Sequence, residues 1–86
     1  MPKIDIYTKV FCPYCTHALN LLKSKSVDFN QIKIDGDMAM RDVMIERANG
    51  SYTVPQIFIN DNHIGGCDDL VALQNSNKLD ALLNAS

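Results

Sequence analysis

Cys12-Pro13-Tyr14-Cys15 puts two thiols three residues apart. At the start of a helix that spacing is nearly one turn, so the two sulfurs come within bonding reach. A pair so placed can pass two electrons to and from another thiol–disulfide couple. The attacking species is the thiolate, and a free cysteine has a pKa of about 8.5. The unpaired N–H groups and positive dipole end of a helix N-terminus favour an anionic sulfur and lower that value. Pro13 suits the first turn of such a helix. Cys12, just ahead of it, points at these donors. Cys15 falls on one face with Ala18, Leu19 and Leu22 and is expected to be the more buried. The pair therefore reads as asymmetric, with Cys12 attacking and Cys15 resolving. Lys9, just upstream, adds positive charge on the thiolate side.

Zinc is the competing use of such a pair, but it usually takes four ligands. The extra candidates are Cys67, His17 and His63. A Cys-x-x-Cys beside a βαβ unit favours the redox reading, with no metal. Two further segments carry chemistry. Thr53-Val54-Pro55 opens a strand. With a cis bond before Pro55, the Val54 backbone N–H and C=O would be free to pair with an extended peptide; a trans proline at a strand edge is the alternative. In Gly65-Gly66-Cys67-Asp68-Asp69, the N–H groups of Cys67 and Asp68 can receive a carboxylate at a helix N-terminus. Asp68 can hold an ammonium group or simply cap the helix. Cys67 reads as a small buried apolar residue. Phe11, beside Cys12, covers the active site, contacts a partner or packs the loop.

The elements that must position these residues follow from periodicity. Lys3–Tyr7 alternates as a half-buried strand, and a helix runs over 13–25. A second strand spans 29–34, so strand, helix and strand make a βαβ unit with a parallel pair. Asp37 caps a second helix that runs to about residue 48, with Met38, Met40 and Met44 as packing. Val54–Ile59 is a third strand, Asn60-Asp61-Asn62 a turn, and His63-Ile64 a short antiparallel return. Phe58 and Ile64 are read as core. Asp68 or Asp69 caps a last helical region carrying Leu70, Leu73, Leu79, Leu82 and Leu83, broken at Ser76-Asn77. Lys23 and Lys25 read as a solvated helix end. The order β-α-β-α-β-β-α implies an α/β domain with a four-stranded mixed sheet flanked by helices.

Composition narrows the remaining classes. The 86 residues amount to one small domain, 1–86. Hydrophobic residues are 47% and charged residues 21%, against a disordered chain. The formal net charge of −2 provides no basic stripe for nucleic acid. No apolar run spans a bilayer and the N-terminus shows no signal-peptide pattern, so the expected compartment is the cytoplasm. Nothing requires more than a monomer.

Cys12-Pro13-Tyr14-Cys15, Thr53-Val54-Pro55 and Gly65-Gly66-Cys67-Asp68, in this order and spacing, resemble the glutaredoxins, specifically their small bacterial dithiol members. Tyr7-Thr8-Lys9 and Pro55-Gln56-Ile57-Phe58-Ile59 share in the likeness, which covers essentially the whole chain. The resemblance implies the thioredoxin fold, a cis Pro55 and glutathione as co-substrate, with no tightly bound cofactor. It implies a glutathione-dependent thiol–disulfide oxidoreductase serving electron transport and cell redox homeostasis. Cys12 would attack protein disulfides and glutathionylated thiols, and Cys15 would resolve. Tyr14 would pack beside glutathione, and the Thr53-Val54-Pro55 segment would line its site, with the Val54 backbone pairing to the cysteinyl part. The Cys67 N–H and Asp68 would hold the γ-glutamyl end. Lys9 would face the glycine carboxylate, aided by Arg41 or Gln56. Tyr52 stands where many relatives place a small or basic residue. Ribonucleotide reductase, sulfate-assimilation reductases and glutathionylated proteins are the implied protein partners. Two other functions stay open: an iron–sulfur carrier, which Pro13 disfavours, and a donor reduced by thioredoxin reductase, which the Gly-Gly-Cys-Asp segment disfavours.

Overall fold

The computed structural model describes residues 2–84; Met1, Ala85 and Ser86 of the expected 1–86 domain lie outside the described residues. The elements are β1 (Ile4–Thr8), α1 (Pro13–Ser24), β2 (Asn30–Lys33), α2 (Met38–Arg47), β3 (Gln56–Ile59), β4 (Asn62–Gly65), α3 (Cys67–Asn75) and α4 (Leu79–Asn84). The sheet order is β2-β1-β3-β4. β1 runs parallel to β2 and antiparallel to β3, and β3 and β4 form a hairpin. This is the expected order, with the last helical region split into α3 and α4 by Ser76-Asn77, where Asn77 adopts φ 61°.

The side-chain period of two decides which helix covers which face. Ile4, Ile6, Ile57 and Ile59 point to one side and pack with Ala18 and Leu22 of α1, Leu70 of α3, and Leu79 and Leu83 of α4. Tyr7 and Phe58 point to the other side and pack with Ile34 and with Met44 and Ala48 of α2 and its C-cap. The sequence reading of β1 as half-buried is thereby corrected: all five of its residues are buried, because helices cover both faces. Asp5 is the polar residue this double burial must accommodate. Its carboxylate accepts hydrogen bonds from Arg47 Nη1 at 3.3 Å and Asn30 Nδ2 at 3.1 Å. The same Arg47 Nη1 donates to the Tyr7 hydroxyl at 2.8 Å, and the guanidinium lies 4.1 Å from the centroid of the Phe58 ring.

Arg47 thus ties α2 to the two central strands by charge, hydrogen bonding and stacking at once. Truncating it leaves a buried carboxylate short of its cation; with Arg47 itself partly exposed, the loss is that of a charged hydrogen bond, about 1.5–3 kcal/mol. Urea unfolding of Arg47→Ala is expected to show that loss, and Arg47→Lys to recover only part, because lysine lacks the planar fork. A change below about 0.5 kcal/mol would place Arg47 among ordinary surface residues.

Three local readings change. Lys25 is not simply solvated: its Nζ lies 2.9 Å from Asp80, joining the end of α1 to α4. Met38 is exposed rather than packed, while Met40 and Met44 pack as expected. The N-cap of α3 is Gly66, not Asp68 or Asp69; Asp69 instead reaches back to accept the Gly66 N–H at 2.9 Å. Asp37 caps α2 as expected, accepting from the Met40 N–H at 3.0 Å. Phe58 is buried, and Ile64 packs against the core while half-buried.

Candidate active site

The first chemical segment is the turn between β1 and α1. The Val10 N–H donates to both carboxylate oxygens of Asp35, each at 3.1 Å, which fixes the turn to the end of β2. Phe11 then takes the left-handed conformation, φ 54°, and the chain re-enters extended geometry at Cys12. Cys12 is the N-cap of α1, and its sulfur does the work that a serine or aspartate oxygen usually does. Cys12 Sγ accepts the Cys15 N–H at 3.2 Å. Pro13 follows in the first turn, where a missing N–H costs nothing.

The two thiols are free and differ in environment: Cys12 is half-buried, and Cys15 is 2% exposed. Burial, foremost, pushes the Cys15 thiol up to about 12. Its hydrogen bond with Cys12 and the negative charges of Cys12 and Asp35 act in the same direction, while the Lys9 backbone amide opposes them. The expectation that Cys15 is the more buried of the two holds.

Across from Cys12 stands the second segment. The Val54-Pro55 bond is cis, and the Val54 carbonyl oxygen is 4.0 Å from Cys12 Sγ. A chain of side-chain contacts backs this segment. Gln56, buried, donates from Nε2 to the Thr53 carbonyl at 3.0 Å, and its Oε1 lies 2.6 Å from His63 Nε2. Gln56 lines the cleft with its amide engaged in these contacts.

A cleft of about 440 Å³ opens between these walls and the start of α3. Of the residues singled out in the sequence, Tyr14, Thr53, Val54, Pro55, Gln56, Cys67 and Asp68 line it, together with Gly65 and Gly66. Cys12 stands beside it, at the Val54 carbonyl. Lys9 and Arg41 are not among the lining residues; Lys9 is exposed three residues before Cys12. Sequence reasoning missed Ser51 and Asp69 as lining groups and gave His63 only the zinc reading. The signal for Asp69 was present in Gly65, one residue before the Gly66 cap and four before Asp69. Gly65 has φ 119°, and a Cβ there would run into the Asp69 carboxylate. Burial, then the Asp68 charge and that of Cys12, push the Cys67 thiol up. Among the described residues, no three His, Cys, Asp or Glu side chains converge so as to hold a metal ion. No helix among them is long and apolar enough to cross a membrane.

A capping cysteine, a buried second cysteine and a cleft walled by a cis-proline strand entry are the features by which this chain can be compared with known proteins. The family model described as glutaredoxin matches residues 4–64, from β1 through the hairpin. Glutaredoxin 3 of Escherichia coli is 55% identical over 83 residues, covering 96% of this chain and 99% of that protein. A glutaredoxin of Pseudomonas aeruginosa is 53% identical over 85 residues, covering 99% of this chain and all of that protein. The crystal structure of a buckwheat glutaredoxin–glutathione complex superposes with a TM-score of 0.84 at 28% identity, over 93% of this chain and 74% of that one. The mixed four-stranded sheet with its flanking helices is thus the thioredoxin fold that glutaredoxins share. With sequence and structure agreeing over nearly its whole length, the chain belongs to the glutaredoxin family.

Proposed function

We propose that this chain is a glutathione-dependent thiol–disulfide oxidoreductase that reduces protein disulfides and glutathione mixed disulfides through Cys12 and Cys15. The observation that carries the reading is the Cys12 sulfur, capping α1 and facing the Val54 carbonyl beside a cleft of about 440 Å³. In the dithiol route, the Cys12 thiolate attacks one sulfur of a substrate disulfide. The other substrate sulfur leaves as a thiolate and takes up a proton. Cys15 then gives up its proton and attacks Cys12 Sγ, releasing the second substrate thiol and forming the Cys12–Cys15 disulfide. Two electrons have moved from the dithiol to the substrate. One glutathione thiolate opens that disulfide at Cys12 and restores the Cys15 thiol. A second attacks the Cys12-bound glutathione, leaving as glutathione disulfide and freeing Cys12. For a glutathionylated protein, Cys12 attacks the glutathionyl sulfur directly and the protein thiol leaves; Cys15 is then not required.

Glutathione is an extended tripeptide with two carboxylates and one ammonium, and the cleft offers partners for each part. The Val54 backbone pairs with the cysteinyl unit, in the manner of an added strand. The Cys67 N–H at the start of α3 receives the γ-glutamyl carboxylate and Asp68 its ammonium. Thr53 and Pro55 shape the wall, Tyr14 packs beside the tripeptide, and Lys9 supplies charge toward the glycine carboxylate. That the buckwheat relative is seen in complex with glutathione supports glutathione as the ligand. Glutathione acts as co-substrate rather than as a resident cofactor. The chain works as a one-domain monomer in a reducing compartment such as the cytoplasm, supporting electron delivery and thiol redox homeostasis. Disulfide-containing and glutathionylated proteins are its partners, ribonucleotide reductase among them.

The test is reduction of a glutathione–cysteine mixed disulfide coupled to glutathione, glutathione reductase and NADPH, with thioredoxin reductase as the alternative electron source. NADPH oxidation is expected through glutathione. Turnover solely through thioredoxin reductase would overturn glutathione dependence while leaving the thiol chemistry intact.

A further inference from the structure

Phe11 is the residue whose conformation and exposure the fold does not explain. Its side chain is as exposed as in an isolated peptide, so it contributes nothing to either core. Its backbone holds φ 54°, a region that L-residues with bulky side chains rarely enter and that glycine or asparagine enters readily. A strained, fully exposed phenyl is therefore retained against two costs, and such outliers gather at functional sites. Val10, one residue earlier, is also exposed, and its N–H is pinned by both oxygens of Asp35, so the strained turn is held in place. Tyr52, exposed as well, precedes Val54 by two residues, and the Val54 carbonyl faces Cys12 Sγ. Val10, Phe11 and Tyr52 are not among the residues lining the cleft beside Cys12. A tripeptide filling that cleft has no use for them.

Building on the oxidoreductase reading, we infer that Phe11, with Val10 and Tyr52, forms an apolar docking rim that selects protein disulfides flanked by extended apolar residues. The position of the rim commits the occupant. Any disulfide attacked at Cys12 must bring its own chain past the residue next to Cys12. Extended chain advances about 3.3–3.6 Å per residue, so one or two residues beyond the substrate cysteine reach the phenyl. The rim acts in the attack step: the Cys12–substrate bond forms, the second substrate sulfur leaves as a thiolate, and Cys15 then closes the Cys12–Cys15 disulfide as described above. Glutathione restores the dithiol. Phe11 is a specificity-determining residue in this step and takes no electrons or protons.

The experiment compares wild type, Phe11→Ser and Phe11→Leu on three substrates. Two are synthetic peptides with one intrachain disulfide, its cysteines flanked by Leu and Phe in one and by Ser and Asp in the other. The third is the glutathione–cysteine mixed disulfide. Phe11→Ser is expected to lower kcat/KM for the apolar peptide about tenfold relative to the mixed disulfide, close to 1.4 kcal/mol, with the loss in KM. Phe11→Leu is expected to keep most of the wild-type ratio, and the polar peptide to be indifferent to both. Because Phe11 is exposed, the serine variant folds, and an unchanged unfolding midpoint checks it. Equal loss on all three substrates, or an unchanged ratio, would overturn the docking rim. Wild type that turns over the peptides with thioredoxin reductase but not with glutathione would overturn glutathione dependence instead, with the ratio of the two peptides still deciding the rim.

Discussion

Cys12→Ser is expected to abolish turnover of every disulfide substrate, by at least about a thousandfold in kcat/KM, as nucleophile removal does elsewhere. A serine hydroxyl in the same place can cap α1 as well as the thiol does, so the fold survives. What it cannot do is exchange with a disulfide, because the chemistry passes through a sulfur–sulfur mixed intermediate. Cys15→Ser should behave differently. Cys15 is buried, its N–H bonded to the Cys12 sulfur, and in the proposed route it reaches a substrate only through that sulfur. Its loss should stop reduction of protein disulfides at the mixed-disulfide stage, where a covalent Cys12–substrate adduct accumulates and shows as added mass. Reduction of the glutathione–cysteine mixed disulfide should continue at rates comparable to wild type, since a second glutathione resolves that intermediate. Equal losses from both variants on the small substrate would reject the monothiol route. Adducts found on Cys15 instead of Cys12 would reverse the assignment.

Much of this arrangement is legible in the sequence because it is local. The cap at Cys12, the buried face through Cys15, Ala18 and Leu22, and the break at Ser76-Asn77 each depend on residues within one or two turns. So does the hairpin, whose turn at Asn60 and Asp61 uses left-handed backbone that these residue types tolerate. What escaped the sequence is set by partners far along the chain. Asp5 looks like a solvent-facing strand residue until Arg47, 42 residues later, folds over Tyr7 and Phe58 to meet it. Lys25 reads as a solvated helix end until α4 brings Asp80 to it. Gln56 carries an ordinary amide whose commitment to His63 depends on the hairpin register that pairs β3 with β4. The start of α3 was misplaced for a different reason. Two adjacent aspartates offered a cap, whereas an extended Gly66 lets the helix begin at Cys67 and turns Asp69 into the reciprocal partner.

The second large effect is the separation of the two thiols by pH. Burial is the first cause that pushes Cys15 from 9.0 to about 12, and its hydrogen bond to Cys12 comes next. At pH 8 only about one Cys15 in ten thousand is then ionised, and the thiol form is nearly inert to alkylation. Iodoacetamide applied to the reduced protein at pH 8, followed by peptide mapping, should therefore label Cys12 and leave Cys15 unmodified. Extensive Cys15 labelling in the folded protein at that pH would contradict the shift. The same displacement makes a statement about stability. In the unfolded chain the thiol ionises near 9, whereas in the folded protein it keeps its proton to about 12. Above pH 9 the unfolded state holds fewer protons, so stability falls with rising pH across this window. The contribution is complete below 9 and gone above 12. The difference in unfolding free energy between wild type and Cys15→Ser should therefore be flat from pH 6 to 8.5 and move against wild type as pH rises from about 9 to 12. A difference that stayed constant across that range would mean that Cys15 ionises alike in both states. In the proposed dithiol route, a Cys15 thiol that keeps its proton to about 12 does not compete with Cys12 for the first attack.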